Sequence, residues 1–467
     1  MKAFYKPRHG VVGDCIPHHA DGRYHLYYLR EYRDLDSFGW GSPWHHVSTT
    51  DGATFVDHGE AIAKGSETDQ DPGVGTGSVF TDDDATHHIF YTGINPRFRD
   101  EERREQVILH ATSTDLDHWT KDPGFALAAD ESRYERHDWR DPFVYRHPTT
   151  GEVRMLVAAR TRHGEPSGRG CTVALRTADL RTWEVVDDYA PGRYHGHECP
   201  DLFQIGDWYY LVFSEYTTHT VTRYVMSRSP DGPWHAPVDD QFDNRAFYAA
   251  KSAAPAEGGP RLLFGWNPTK EGGRDDGEWQ WGGNLTVHEV LQRPDGSLGV
   301  RPPRALLDGF AERTGDGATV ELDGTHARSS AVAGPLPSTA LVEARVTVGS
   351  PHGSAGVLLH TDANGHGGYF LRLHAGRQVM QLGKVGGYRS WFVDHFPELD
   401  RPLRIVPGRA VDLRIVLDGS AVVVYADDVA LSGRLNERAG GWFGAFADGA
   451  GAAFQGLGAR ARTADRV

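Results

Sequence analysis

The chain has 467 residues, with 49 Lys and Arg against 64 Asp and Glu, for a formal net charge of −15. That balance argues against a nucleic-acid or anionic-membrane surface as partner, and the length allows a large core with a second domain. Aromatics at 11% and 56 glycines fit a β-rich, turn-rich chain better than a helical one. The three cysteines, Cys15, Cys171 and Cys199, are too few for a disulfide framework and lack zinc-site spacing. The N-terminal stretch has no apolar signal core and no later run approaches a membrane span, so the expected location is cytoplasmic. A carbohydrate substrate would then be small enough to import.

In chain order, one pattern recurs at roughly 50–70 residues, the spacing of a propeller blade or similar array. Each unit opens with a short strand carrying a distinctive residue, continues with an aromatic-rich strand, and adds a third that usually ends in Ser/Thr-x-Asp before Trp or Phe. Unit one is Gly13 to His19, Tyr24 to Leu29 and Trp44 to Phe55; unit two is Gly75 to Phe80, His88 to Gly93 and Val107 to Trp119. Unit three is Arg140 to Arg146, Val153 to Ala159 and Cys171 to Trp183; unit four is Glu198 to Ile205, Trp208 to Phe213 and Thr222 to Trp234. Unit five is weaker: Ala246 to Ala253, Arg261 to Trp266 and Gly282 to Leu291.

Asp51, Asp115, Asp179 and Asp231 recur before the aromatic and read as structural turn caps. Asp14, Asp141 and Glu198 are different: each opens a first strand beside Pro, Cys or Gly, and units two and five have no acid there. Five units close naturally as a five-bladed β-propeller, since a ring leaves few exposed edges. The innermost strand of each blade lines the axis, so the three acids are expected to converge on a central cleft.

After about Pro303 the texture changes. Residues 304–325 read as a linker, polar from Gly315 to Gly324. Residues 326–467 alternate as short antiparallel strands, the pattern of a β-sandwich. The expected fold is all-β: a propeller catalytic domain over 1–303, then the sandwich as a packing partner. Tyr369, Tyr388, Trp391 and Phe392 are its candidate sugar contacts, and the loop from Gly386 to His395 is a candidate contact with a neighbouring subunit. Whether the protein is a monomer or a homo-oligomer is not encoded legibly.

Three acids around one axis match the needs of glycosidic bond cleavage. One carboxyl protonates the leaving oxygen, a second attacks the anomeric carbon or activates water, and a third holds hydroxyls near the oxocarbenium-like centre. Trp139-Arg140-Asp141-Pro142 and Glu198-Cys199-Pro200-Asp201, with Gly77-Ser78 and a first-unit acid in the same order, carry a resemblance to glycoside hydrolase family 32. That group holds invertases, inulinases, levanases and fructan transferases, and the likeness spans essentially the whole chain. The resemblance implies Asp14 as nucleophile, Asp141 as transition-state stabiliser and Glu198 as general acid/base, with retention through a covalent intermediate. It further implies that Arg140 holds sugar hydroxyls and that Cys199 packs against the acid/base. The sequence departs from the family at Gly13-Asp14-Cys15, where an Asn usually precedes the nucleophile. Inverting arabinofuranosidases or xylosidases of families 43 and 62 therefore stay open, with Asp14 as a base acting through water. So do sugar transfer and a non-catalytic sugar-binding propeller.

Trp44, Trp266 and Trp281 are candidate stacking platforms, because sugar rings present apolar C–H faces. Ser78 joins them as a substrate contact through the Gly77-Ser78 motif. His197, beside Glu198, is the preferred hydrogen-bonding histidine. The pair His195 and His197 lacks a recognised ligand spacing, so no metal and no cofactor are expected.

Overall fold

The computed structural model describes residues 2–101, 103–314, 317–386 and 395–462. Antiparallel strands account for nearly all its regular structure; the helices are short, such as Leu35–Phe38, Arg97–Asp100 and Arg304–Asp308. Among the described residues no helix is long and apolar enough to cross a membrane.

The repeats fold as meanders. The first is Val11–Ala20, Arg23–Glu31, Trp44–Thr49 and Val56–Ile62, and the second Gly73–Thr81, His87–Ile94, Gln106–Ser113 and Thr120–Lys121. The third is Tyr134–Arg146, Val153–Thr161, Gly170–Thr177 and Glu184–Pro191; the fourth is Glu198–Ile205, Trp208–Glu215 and Val221–Ser227. The fifth, Tyr248–Ala253, Leu262–Lys270 and Trp279–Gln292, does not form a sheet of its own. Its last strand pairs with the first lead strand at Val12 and Gly283, merging units one and five into one eight-stranded sheet. The second strands are buried on both faces, which explains continuous apolar runs such as Met155 to Ala159. Each lead strand lies against the lead strand of the next unit, and Tyr248–Ala253 returns to Val11–Ala20.

Every lead strand carries a β-bulge at the same place. Two residues oppose one at Gly13-Asp14, Gly75-Thr76, Asp141-Pro142, Cys199-Pro200 and Ala249-Ala250. A bulge re-aims side chains and sharpens the local twist. Asp141, Cys199 and Ala249, each first in its bulge, adopt φ of 58°, 53° and 52°. Holding non-glycine residues there costs free energy that the surrounding fold must supply. The bulges also refine the repeat: the acids are not at equivalent positions. Asp14 is second in its bulge, Asp141 first, and Glu198 immediately precedes the bulge.

The turn caps hold in units one to three, where Asp51, Asp115 and Asp179 accept backbone N–H groups two and three residues on. Asp231 differs, pairing instead with Arg154 and His147.

The C-terminal part is two stacked sheets of seven and six strands around an apolar core. The expected linker is partly structured: Arg304–Asp308 is helical, and Glu312–Arg313 and Ala318–Asp323 pair with the final strand Gly451–Ala461. Val320 and Leu322 alternate with polar residues there, a period of two hidden in a polar stretch. The two parts share a core in which Phe203, Tyr210 and Phe247 cluster with Leu341, Val416 and Tyr425. Arg434 crosses to the carbonyls of Asn267 and Pro268, and Arg401 pairs with Asp239 at 2.6 Å. Tyr369 is buried, its hydroxyl donating to Asp275 at 2.6 Å, so it serves packing. Tyr388, Trp391 and Phe392 lie outside the described residues.

Candidate active site

The five lead strands bring Asp14, Thr76, Asp141, Glu198 and Tyr248 together, and each of the three acids is held by its own hydrogen bonds. Thr76 Oγ1 donates to Asp14 Oδ2 at 2.6 Å, and the indole N–H of Trp266 donates to Asp14 Oδ1 at 3.1 Å. Both oxygens of Asp14 are thus held by side chains from neighbouring units. Asp141 is fixed by its own backbone N–H, which donates to Thr92 Oγ1 at 2.8 Å, and by Cys199 N–H, which donates to its Oδ2 at 2.9 Å. Glu198 accepts from Arg140 Nη2 at 3.2 Å on Oε1 and from the Tyr248 hydroxyl at 2.5 Å on Oε2.

The charges interact strongly. Burial first, then the neighbouring Asp141 and Glu198 carboxylates, together push the Asp14 carboxyl up to about 7 against the opposing hydrogen bonds from Thr76 and Trp266. Burial also raises Asp141; the Arg140 guanidinium opposes that rise and Glu198 adds to it. Asp14 and Asp141, crowded around one buried guanidinium, are therefore both biased toward keeping a proton. That is the condition for acid and base chemistry at one centre.

Arg140 is anchored by Asp138 at 2.8 Å and reaches the Tyr216 hydroxyl at 3.3 Å. Trp266 is buried, packing edge-on against Tyr248 with centroids 5.4 Å apart. Trp281 is 38% exposed and its ring lies 5.6 Å from that of Trp266. Its placement depends on Gly13, where a Cβ would lie 2.1 Å from Trp281 Cη2. The residue that departs from the family pattern is the one that makes room for this indole.

Three expected substrate contacts sit in packing positions in this structure. Trp44 is fully buried between the first and second sheets, its indole N–H donating to Gly75 O at 2.9 Å. Ser78 is buried and accepts Val144 N–H at 2.9 Å, tying the second lead strand to the third. His197 stacks on Phe213 at 4.2 Å and meets Thr172 Oγ1 at 3.2 Å, rather than Glu198. Burial pushes its imidazole down to about 3, so it is neutral. Its residue number placed it beside the acid, but its ring lies against Phe213 and Thr172 just ahead of the strand Glu198–Ile205.

Sequence reasoning missed Thr76, Tyr248, Tyr216 and Lys251. Lys251 is buried and donates to Gly77 O at 2.7 Å, linking the fifth lead strand to the second. The usable signal was positional: Thr76 is second in its bulge, as Asp14 is, and Tyr248 immediately precedes its bulge, as Glu198 does. Cys15 and Cys199 are buried and their thiols are pushed up by burial and the adjacent carboxylates, which disfavours thiolate chemistry.

Known proteins resemble this chain in sequence and in fold. The family model for the N-terminal domain of glycosyl hydrolases family 32 matches residues 7–302. The chain is similar to a raffinose invertase of Escherichia coli, 27% identical over 444 residues that cover 90% of this chain and 85% of that protein. It is also similar to a sucrose-6-phosphate hydrolase of Escherichia coli, 28% identical over 297 residues; the match spans 60% of this chain and 59% of the relative's own length. In fold it matches an exo-inulinase from Aspergillus awamori with a TM-score of 0.76 at 16% identity, over 98% of this chain and 97% of that one.

Proposed function

The chain belongs to glycosyl hydrolase family 32, and from that premise we propose that it is an exo-acting, retaining hydrolase that releases a β-fructofuranosyl unit from small oligosaccharides. The five lead strands are read as the inner strands of five blades, a reading supported by their closed circuit of contacts and their matching bulges.

In this mechanism Asp14 attacks the anomeric carbon of the fructosyl unit while Glu198 gives its proton to the departing glycosidic oxygen. The C–O bond to the leaving sugar breaks as the ester to Asp14 forms. Glu198, now a carboxylate, takes a proton from water, and the resulting nucleophile attacks the anomeric carbon and frees Asp14. Asp141 stabilises positive charge developing on the ring, and Arg140 positions both Asp141 and Glu198. Trp281, the exposed indole of the pair, offers an apolar face to sugar C–H groups, while buried Trp266 holds Asp14.

The observation that carries the reading is the immobilisation of Asp14. Thr76 and Trp266 hold its two oxygens within a cluster that also contains Asp141 and Glu198. A carboxylate fixed at both oxygens suits attack from one defined direction.

Real-time proton and carbon NMR tests it with sucrose, sucrose 6-phosphate, kestose, inulobiose, levanbiose and arabinofuranosyl oligosaccharides. Fructose appearing first as the β anomer supports the assignment. A pentose released with inversion recasts Asp14 as a base, and binding without turnover leaves only a sugar-binding propeller.

A further inference from the structure

On the third and fourth strands of the first unit, outside the circuit of lead strands, His46 and His58 stack with centroids 4.3 Å apart and rings inclined by 17°. Asp117, from the turn of the second unit, meets both. Its Oδ1 lies 2.9 Å from His46 Nδ1 and 3.3 Å from His58 Nδ1. Among the described residues this is the one group of three His, Cys, Asp or Glu side chains whose ligand atoms all lie within 4.8 Å of one another.

We propose that His46, His58 and Asp117 form a divalent transition-metal site, of the kind that takes zinc, which staples the first unit to the second. Two imidazoles and a carboxylate are a borderline donor set suited to such an ion, leaving one tetrahedral position for water; since each lone pair lies in its ring plane, binding must turn the two stacked rings out of parallel. Bonds of about 2.0–2.1 Å require donor atoms about 3.3 Å apart at a tetrahedral centre. The two separations from Asp117 are close to that.

Two further observations describe how the imidazole nitrogens are held. His46 is 1% exposed, yet its Nδ1 has no hydrogen-bond partner although Asp117 is near. The nitrogen is close to the carboxylate but out of line for an N–H donor. The opposite nitrogens are each held: His46 Nε2 is 3.1 Å from His25 Nδ1, and His58 Nε2 is 2.8 Å from Ser48 Oγ. Outer partners of this sort fix the tautomer that turns the other lone pair toward a metal.

The second unit offers an internal control. It repeats the imidazole pair, with His88 Nδ1 2.9 Å from His110 Nε2, and it repeats the partnerless buried nitrogen, His110 Nδ1, 3.5 Å from Asp122. There the junction to the next unit is closed by a cationic side chain, Arg181, 3.2 Å from Asp122. The register of the turns places Asp117 where the third unit has Arg181. At the first junction that place is taken by an anion, Asp117, facing two imidazoles, and the proposed metal would supply the cation there.

The test uses untagged protein freed of metal with a chelator and titrated with Zn2+ or Co2+. The expected result is one tight equivalent, a visible Co2+ spectrum of tetrahedral intensity, and a Tm rise of roughly 2 °C or more at about tenfold excess metal. His58→Ala and Asp117→Asn should each abolish the equivalent, the spectrum and the Tm rise while leaving turnover of metal-free protein unchanged. Both residues are partly exposed, and X-ray absorption on the wild-type Zn2+ adduct reads the ligands without any variant. Two imidazoles and one carboxylate support the site. Absence of stoichiometric binding, binding that survives both substitutions, or another ligand set overturns it.

Discussion

Trp281 Cη2 occupies the space that a Cβ on residue 13 would need, 2.1 Å from that position, with Leu29 O a further 2.9 Å obstacle. Gly13 and Trp281 are therefore a matched pair beside Asp14. Restoring an Asn by Gly13→Asn should expel the indole and disturb the bulge. We expect a stability loss of about 1–3 kcal/mol and a fall in kcat/KM. Trp281→Ala alone should mainly raise KM through lost stacking. Combining the two should recover part of the stability lost by Gly13→Asn, measured by thermal unfolding. Strictly additive losses would separate the two residues.

The charge cluster predicts a specific pH dependence. The folded pKa of Asp14, about 7, lies above its ordinary 3.8. Its ionisation thus costs stability that is absent below about pH 4, grows between pH 4 and 7, and is complete above 7. Asp14→Asn should stabilise the fold at pH 8, on the order of 2 kcal/mol given that solvent partly reaches the carboxylate, and should do little at pH 4. In catalysis the same ionisation sets the acid limb of kcat/KM. Asp141 is the largest charge acting on Asp14, so Asp141→Asn should move that limb down by roughly a pH unit while slowing turnover. An unmoved limb would assign it to another group.

Tyr248 presses its hydroxyl on Glu198 Oε2 while Arg140 holds Oε1. Tyr248→Phe removes a hydrogen bond to a charged group, worth about 1.5–3 kcal/mol. We expect kcat to fall roughly 10- to 100-fold, with KM for sucrose little changed. Substrates with a good aryl leaving group should be affected less, since they need less proton donation. Equal losses on both substrates would mean that Tyr248 acts on binding rather than on the acid/base.

The sequence displayed the acids because each sits in an unusual neighbourhood, and the unit repeat places them near one centre. It did not display which faces the side chains take. A bulge shifts the alternation by one residue and turns a strand's side chains over, and every lead strand has one. That is why Asp14, Asp141 and Glu198 converge from three different bulge positions. The same irregularity hid Thr76 within a run of glycines and Tyr248 within the weakest repeat. Trp44 and Ser78 have the residue types of sugar contacts, but residue type does not report burial. The merger of units one and five rests on the pairing of Val12 with Gly283, which no local pattern announces.

The junction between the two halves makes a final prediction about cooperativity. Asp243 is buried and accepts Ser432 N–H and Oγ–H, each at 2.7 Å, with His288 Nε2 3.2 Å away. His288 in turn meets the Tyr425 hydroxyl at 2.9 Å. This polar chain runs through an apolar core shared by both halves, so neither half can open without exposing unpaired groups. Wild-type protein should unfold in one calorimetric transition. Asp243→Ala should leave His288 and Ser432 without their partner and cost about 3–5 kcal/mol, lowering Tm while keeping a single transition. Two resolved transitions in the wild type would mean that the sandwich is an independent unit and that the shared core contributes little.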